Sequence, residues 1–420
     1  MRTTIVIIGA GHSGLAMSQR LAERGIDHVV LERGEVANSW RTERWDSLRL
    51  LTPTWHATLP GADPPPGDPD GYLTMPQVVG HLAGYAASID APVATGTTVT
   101  RVSAADHGFR VSTDQGEWHA ASVVLASGAC NRANVPASAA GVPPGVAQVT
   151  PLTYRSPDQL APGGVLVVGA SASGAQLADE IARSGRRVVL STGEHVRMPR
   201  TYRGWDMFRW LEAVGVLDER YDQLDDIIRA RHIPSPQLIG TPERRDIDMN
   251  SLRALGIEVV GKLGTIRDGV ALFSGGLANT YQLADLKLTR LLDRFDAWAT
   301  SAQRAGLGAP DHPAPTQPDA ADRIQLDLRR EGIGTIVWAT GYRADHGYLD
   351  VPVTGYKGAI RHEGGVVSGA PGMYLLGGSL LRRRRSTYIA GAAQDTADLA
   401  DHLMGHLAGR VPSTTERVSA

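Results

Sequence analysis

Gly9, Gly11 and Gly14, in the run Gly9-Ala10-Gly11-His12-Ser13-Gly14, have the spacing of a loop that holds a pyrophosphate. Gly9 permits the tight turn, Gly11 lets backbone approach the phosphates, and Gly14 lets a helix sit close to the preceding strand. His12 and Ser13 lie in the same loop and are assigned to the same ligand. The helix that follows offers free N–H groups and a partial positive charge at its N-terminus. Glu32, 18 residues after Gly14, can accept hydrogen bonds from both ribose hydroxyls. The chemistry is recognition of an adenine dinucleotide, and the loop alone does not say which one.

The elements that must position these residues are legible around them. Residues 4–8 are a continuous apolar run, as in a strand buried on both faces. A helical pattern passes through Leu15, Met17 and Leu21, and residues 29–31 form a second strand that ends on Glu32. The whole arrangement then recurs. Residues 165–168 read as a strand, Gly169-Ala170-Ser171-Ala172-Ser173-Gly174 as the loop, residues 175–183 as the helix and 188–190 as the next strand. Ser171 replaces the middle glycine and, being small, still allows close approach. The position 18 residues after Gly174 holds Thr192, not an acid. Ser191, Thr192 and the nearby Arg197 or Arg200 could bind a 2′-phosphate, which a carboxylate would repel. The second loop therefore leans to NADPH, with Glu194 keeping NADH open. Ser173 joins Gly169, Ser171 and Gly174 among its expected ligand contacts.

Two further apolar strands end in glycine, at Gly128 and Gly341, where backbone must pass close to something. Trp40, Arg41, Thr52 and His56 stand in an aromatic and polar stretch suited to the floor of a flat cofactor. Tyr202, Trp205, Phe208 and Trp210 open a helix, and Leu283, Leu286, Leu291, Leu292, Phe295 and Trp298 recur at helical spacing as ordinary core. The run from Arg382 to Arg385 precedes Ser386 and a helix over 392–406, where it is expected to face phosphates or a negative ring edge. At 420 residues the chain has room for two domains, and its net charge of −2 gives no sign of a nucleic-acid or membrane partner. No apolar run is long enough to span a bilayer, so a cytoplasmic protein is expected. The single cysteine, Cys130, excludes an internal disulfide or CxxC pair. No metal site is evident.

Both loops, Glu32, Ser39-Trp40-Arg41, Leu125-Ala126-Ser127-Gly128, Ala339-Thr340-Gly341-Tyr342 and the segment from Gly377 to Gly391 resemble the flavin-containing monooxygenases. The similarity extends to a bacterial subgroup of flavoprotein oxidoreductases found beside nitrilase genes. It implies an α/β chain with two Rossmann-like dinucleotide-binding domains, each a three-layer doubly wound unit. The boundaries expected are 1–160 for the first part of an FAD domain, 161–334 for an NAD(P) domain with a helical insertion, and 335–420 for the return of the FAD domain. It places Gly378 and Ser386 near the isoalloxazine, with Gly377 beside them. The implied activity is NAD(P)H-driven transfer of one oxygen atom of O2 to a small organic substrate through a C4a-(hydro)peroxyflavin. Thr52, His56 and Arg203 are candidate catalytic groups, and a homodimer is compatible with the fold. The family pattern FxGxxxHxxx(Y/F) departs here: Pro144, Val146 and Thr150 occupy its first three positions and only Tyr154 is kept. A flavoprotein reductase without oxygen insertion is thus the alternative, and a non-catalytic nucleotide-binding regulator the third.

Overall fold

The computed structural model describes residues 1–318, 321–355 and 358–409. Strand β1 (Arg2–Ile8), helix α1 (His12–Ala22) and strand β2 (His28–Leu31) form the opening βαβ unit, with β1 and β2 parallel. Ile5, Val6 and Ile7 are fully buried, which is why β1 reads as unbroken apolar sequence. On its other side β1 runs parallel to Gly116–Leu125. That strand has two roles. Its first half pairs antiparallel with Gly108–Thr113, and its last residues run parallel to β1 and to Met373–Leu375. The hairpin expected over residues 99–111 is present as Val99–Ala105 and Gly108–Thr113.

A second sheet has the order Glu258–Val260, Val188–Ser191, Gly164–Val168, Ile333–Trp338, Ala147–Val149, with every pairing parallel. This sheet corrects the expected boundaries at 160 and 334. Ala147–Val149 and Ile333–Trp338 both belong to the second fold. The cause is burial: Gly164–Val168 is buried at every residue and needs a neighbour on each edge. Ile333–Trp338 supplies one of them, as Gly116–Leu125 does for β1. The return to the first sheet begins beyond Trp338.

The segment between Val188–Ser191 and Glu258–Val260 carries the short helix Met207–Ala213. It packs on the long helix Leu277–Ser301 through Tyr202, Phe208, Trp210, Leu288, Leu292 and Phe295. Trp210 and Phe295 stack at 5.2 Å. One phase differs from expectation. Leu283 and Leu286 are exposed, because the buried stripe runs through Tyr281, Ala284, Leu288 and Leu292. Among the described residues no helix is long and apolar enough to cross a membrane.

Candidate functional site

The turn from β1 into α1 is closed by contacts only glycine permits. Gly9 has φ +107°, and a Cβ there would lie 2.6 Å from the Ala126 carbonyl oxygen. A Cβ on Gly14 would lie 2.0 Å from the Gly9 oxygen, so α1 sits directly against the turn. Gly11 differs, because a Cβ there would meet nothing within 4 Å. Its open side faces a cleft of about 370 Å³ lined by residues that include Gly11, His12, Ser13, Trp40 and Gly377. Glu32 is buried at the cleft wall. Its Oε2 accepts from the Ala10 N–H at 2.8 Å and its Oε1 from the Gly34 N–H at 3.1 Å, which locks the acid to the loop it serves. His12 Nε2 and Ser13 Oγ are buried without partners at the cleft. Such orphans are costly unless a ligand supplies the missing bonds. Cleft, open glycine, orphaned donors and fixed acid fit an adenine dinucleotide.

The second loop repeats this construction atom for atom at its two closest contacts. Gly169 has φ +102° and its Cβ would lie 2.3 Å from the Ala339 oxygen, while a Cβ on Gly174 would lie 1.7 Å from the Gly169 oxygen. Ser171 precedes the helix Ala172–Arg183, and Ser173 Oγ is 3.2 Å from the Tyr342 hydroxyl. Gly128 and Gly341, at φ +90° and +92°, follow the two strands that pinch the loops. Thr192 is buried at the end of Val188–Ser191. The arginines expected to read a 2′-phosphate are not available. Arg197 is buried against Asp248 and Asp285 at 2.7 and 2.8 Å. Arg200 is fully buried, bonded to Asp206 at 2.9 Å and to the Leu51 carbonyl at 2.8 Å. Glu194 is exposed and paired with Lys287. Lys262, which sequence reasoning did not single out, lies beside Gly193. It follows the neighbouring parallel strand, and a Cβ on Gly193 would touch its side chain at 3.4 Å. It is exposed and forms no ion pair among the described residues. No local motif marks it, because its position depends on strand order.

Several expected contacts need correction. Arg41 is exposed and does not line the cleft; Arg44, three residues on and just past the helix end, does. Gly377 lines the cleft and Gly378 does not. Ser386 is buried with its Oγ accepting from the N–H groups of Arg382 and Arg383, so it caps a turn and does not face a cofactor. The four arginines before it are all paired with acids: Arg382 with Asp398, Arg383 with Asp395, Arg384 with Glu219 and Arg385 with Asp218. They are spent on structure, the last two binding the second fold's insertion to the returning segment. Arg203, with φ +49°, is held by Asp296 and the Gly308 carbonyl on the side of the long helix. Thr52 is buried. Tyr154 is fully buried in the core of the second fold.

His56 stands apart from Thr52 and Arg203. Its ring lies 5.5 Å from Phe208 and 5.7 Å from Tyr388, joining three separate segments, and neither ring nitrogen has a partner. Burial, then the Arg385 charge, pull its pKa down to about 4. Burial lowers His12 to about 4 as well. Unfolding raises both toward 6.5, so the unfolded chain binds more protons as pH falls. Stability is therefore full above about pH 6.5 and declines toward pH 4, by on the order of 3 kcal/mol per histidine at the low end. Urea unfolding across that window checks this, and His56→Gln should flatten the slope. An unchanged slope overturns it.

Fold and cradles together define an α/β chain with two Rossmann-like dinucleotide-binding domains. Within that class the chain is built like the flavin-containing monooxygenases, and residues 6–205 match the pyridine nucleotide-disulphide oxidoreductase family. A flavin-containing monooxygenase from Stenotrophomonas maltophilia superposes with a TM-score of 0.68 at 18% identity, over 97% of this chain and 99% of that one. An uncharacterized CzcO-like oxidoreductase of Geobacillus kaustophilus is 28% identical over 96% of this chain and 98% of its own length. The indole-3-pyruvate monooxygenase YUCCA1 of Oryza sativa subsp. japonica is 34% identical over 49% of this chain and 53% of its own.

Proposed function

We propose that the protein is a cytoplasmic FAD-dependent, NAD(P)H-consuming monooxygenase that transfers one oxygen atom of O2 to a small organic substrate. The observation that carries this is the pair of matched cradles with unlike residues at the ribose position, Glu32 in one and Thr192 in the other. The first suits a permanently held FAD, since its cleft is completed by the returning residues Gly377 and Thr387. The second suits a nicotinamide coenzyme that comes and goes. FAD, when bound, supplies the redox and oxygen chemistry.

The chain's own residues bind, orient and exclude water. The α1 N-terminus, His12 and Ser13 hold the pyrophosphate, and Glu32 holds the ribose. The aromatic group of Trp55, His56, Phe208 and Tyr388 keeps one flank of the returning segment apolar. Cys130 is the only cysteine, so a dithiol mechanism has no second thiol. The relatives named as monooxygenases support the oxygen step. The reductase alternative is favoured by one observation: Tyr154, the remnant of the family's FxGxxxHxxx(Y/F) pattern, is a core residue here.

Turnover under isotopically labelled O2 with sulfide and ketone probes decides between them. Label in a product, with peroxide release below NADPH consumption, supports the monooxygenase. Peroxide equal to NADPH consumed with every probe leaves the reductase. Coenzyme choice has its own test. Lys262→Ala should raise KM for NADPH by about tenfold and leave KM for NADH unchanged, the loss of one exposed phosphate contact. Equal effects on both coenzymes would remove Lys262 from the ribose site.

A further inference from the structure

Arg44 is the residue whose surroundings remain unexplained by these assignments. Two arginines line the cleft of the first fold, and they differ. Arg33 is paired with Glu43. Arg44 has no carboxylate partner among the described residues; its guanidinium gives one bond to the Glu43 carbonyl at 2.7 Å and lies 5.4 Å from the Trp40 ring. A guanidinium carries five N–H donors, so most of its hydrogen-bonding capacity is unused. The side chain is part-buried, and its own backbone is fixed by Arg155, which donates to the Arg44 carbonyl at 2.9 Å. A partly desolvated cation without a counter-ion, on the wall of an anion-binding cleft, is a site for negative charge.

The neighbours of Arg44 point to which charge. It shares the cleft wall with Gly128 and Cys130, which follow the strand that pinches the first loop. Its charge also acts on Tyr342, offsetting part of the rise that burial imposes on that phenol. Tyr342 follows the strand that pinches the second loop, and its hydroxyl meets Ser173 inside that loop. Arg155, which binds the Arg44 carbonyl, lies between Ala147–Val149 and Gly164–Val168 of the second sheet, so Arg44 stands where the wall of the first cleft meets the second fold. The phosphates on the first loop already have the α1 N-terminus, His12 and Ser13. The second loop has Ser171 where the first has an open glycine, and Arg197 and Arg200 are bound by acids.

We propose that Arg44 is a positioning residue from the first fold that binds the pyrophosphate of the nicotinamide dinucleotide held by the second fold. It would draw that coenzyme across the gap and set its nicotinamide toward the flavin. The inference rests on the cofactor reading above. It also gives a reason for Trp40, whose ring holds the guanidinium in place by cation–π contact.

The test uses holoenzyme, with FAD content read from flavin absorbance and NADP+ affinity from the flavin difference spectrum. Arg44→Ala should keep its FAD and bind NADP+ about ten- to a hundredfold more weakly. Its NADP+ binding should also depend less on salt than that of the wild type. Arg44→Lys, which restores charge without the planar fork, should fall between them and guards against a merely misfolded alanine variant. Unchanged NADP+ affinity in both variants overturns the proposal. So does loss of FAD from both, which would assign Arg44 to the flavin's own phosphates. A wild type that holds FAD and shows no NADP+ or NAD+ binding removes the cofactor reading itself, and the role of Arg44 with it.

Discussion

Gly11→Val should purify folded and colourless, whereas Gly14→Ala should fail to fold. The two glycines are three residues apart in one loop, so the contrast isolates geometry from composition. A Cβ at Gly11 meets no protein atom within 4 Å, so the polypeptide has room for a branched side chain there. It projects into the cleft, where valine takes the space the pyrophosphate needs. FAD affinity should fall by at least about a hundredfold, roughly 3 kcal/mol. A methyl on Gly14 would stand 2.0 Å from the Gly9 oxygen, and backbone cannot yield there without moving α1 off the sheet. The flavin-to-protein absorbance ratio reads the first variant and circular dichroism the second. A yellow Gly11→Val protein at full occupancy would show that the cleft is not the flavin site.

Arg200→Ala should cost about 3–5 kcal/mol of stability, the toll of leaving a buried carboxylate without its partner. Arg200 is fully buried and joins both folds: it bonds Asp206 of the insertion and the Leu51 carbonyl of the first fold, and lies 4.8 Å from the Tyr72 ring. Tyr72 in turn donates to Asp206 at 2.7 Å. Removing Asp206 as well should recover much of the loss, since no uncompensated charge then remains. Guanidinium denaturation of the two single variants and the double variant measures this. If Arg200 bound coenzyme instead, the single variant would keep its stability and lose NADPH affinity.

Both dinucleotide folds could be read from the sequence because their signals are local. Loop, helix and strand lie within about 30 residues, and glycine spacing is a direct imprint of close backbone contact. What the sequence hid depends on chain-distant pairing. Arg197, Arg200 and the run from Arg382 to Arg385 looked like phosphate binders, because an arginine's type says nothing of the acid that will meet it. Asp248, Asp285 and Glu219 come from other segments, and Asp206 lies six residues beyond Arg200; together they take those charges. Lys262 and Arg44, proposed above as coenzyme contacts, carry no local signal for the converse reason. Each gains its place from a neighbouring strand or loop, and no spacing rule connects them to the glycines. Residues 335–338 were expected to open the return of the first domain because a buried parallel strand looks alike in either sheet.

The pinching of Gly9 by Ala126, and the lining of the same cleft by Gly377 and Thr387, also set an order of events during synthesis. A ribosome completes β1 and its loop early, yet the pocket has no far wall until residue 387 has been made. By then every strand of the second sheet has emerged and can already be paired. The flavin site is thus begun first and finished near the end, so capture of FAD follows translation and acts as a late clamp on the whole chain. Flavin-starved cells should accumulate a folded protein in which the segments that line the cleft are cut by protease sooner than the second sheet.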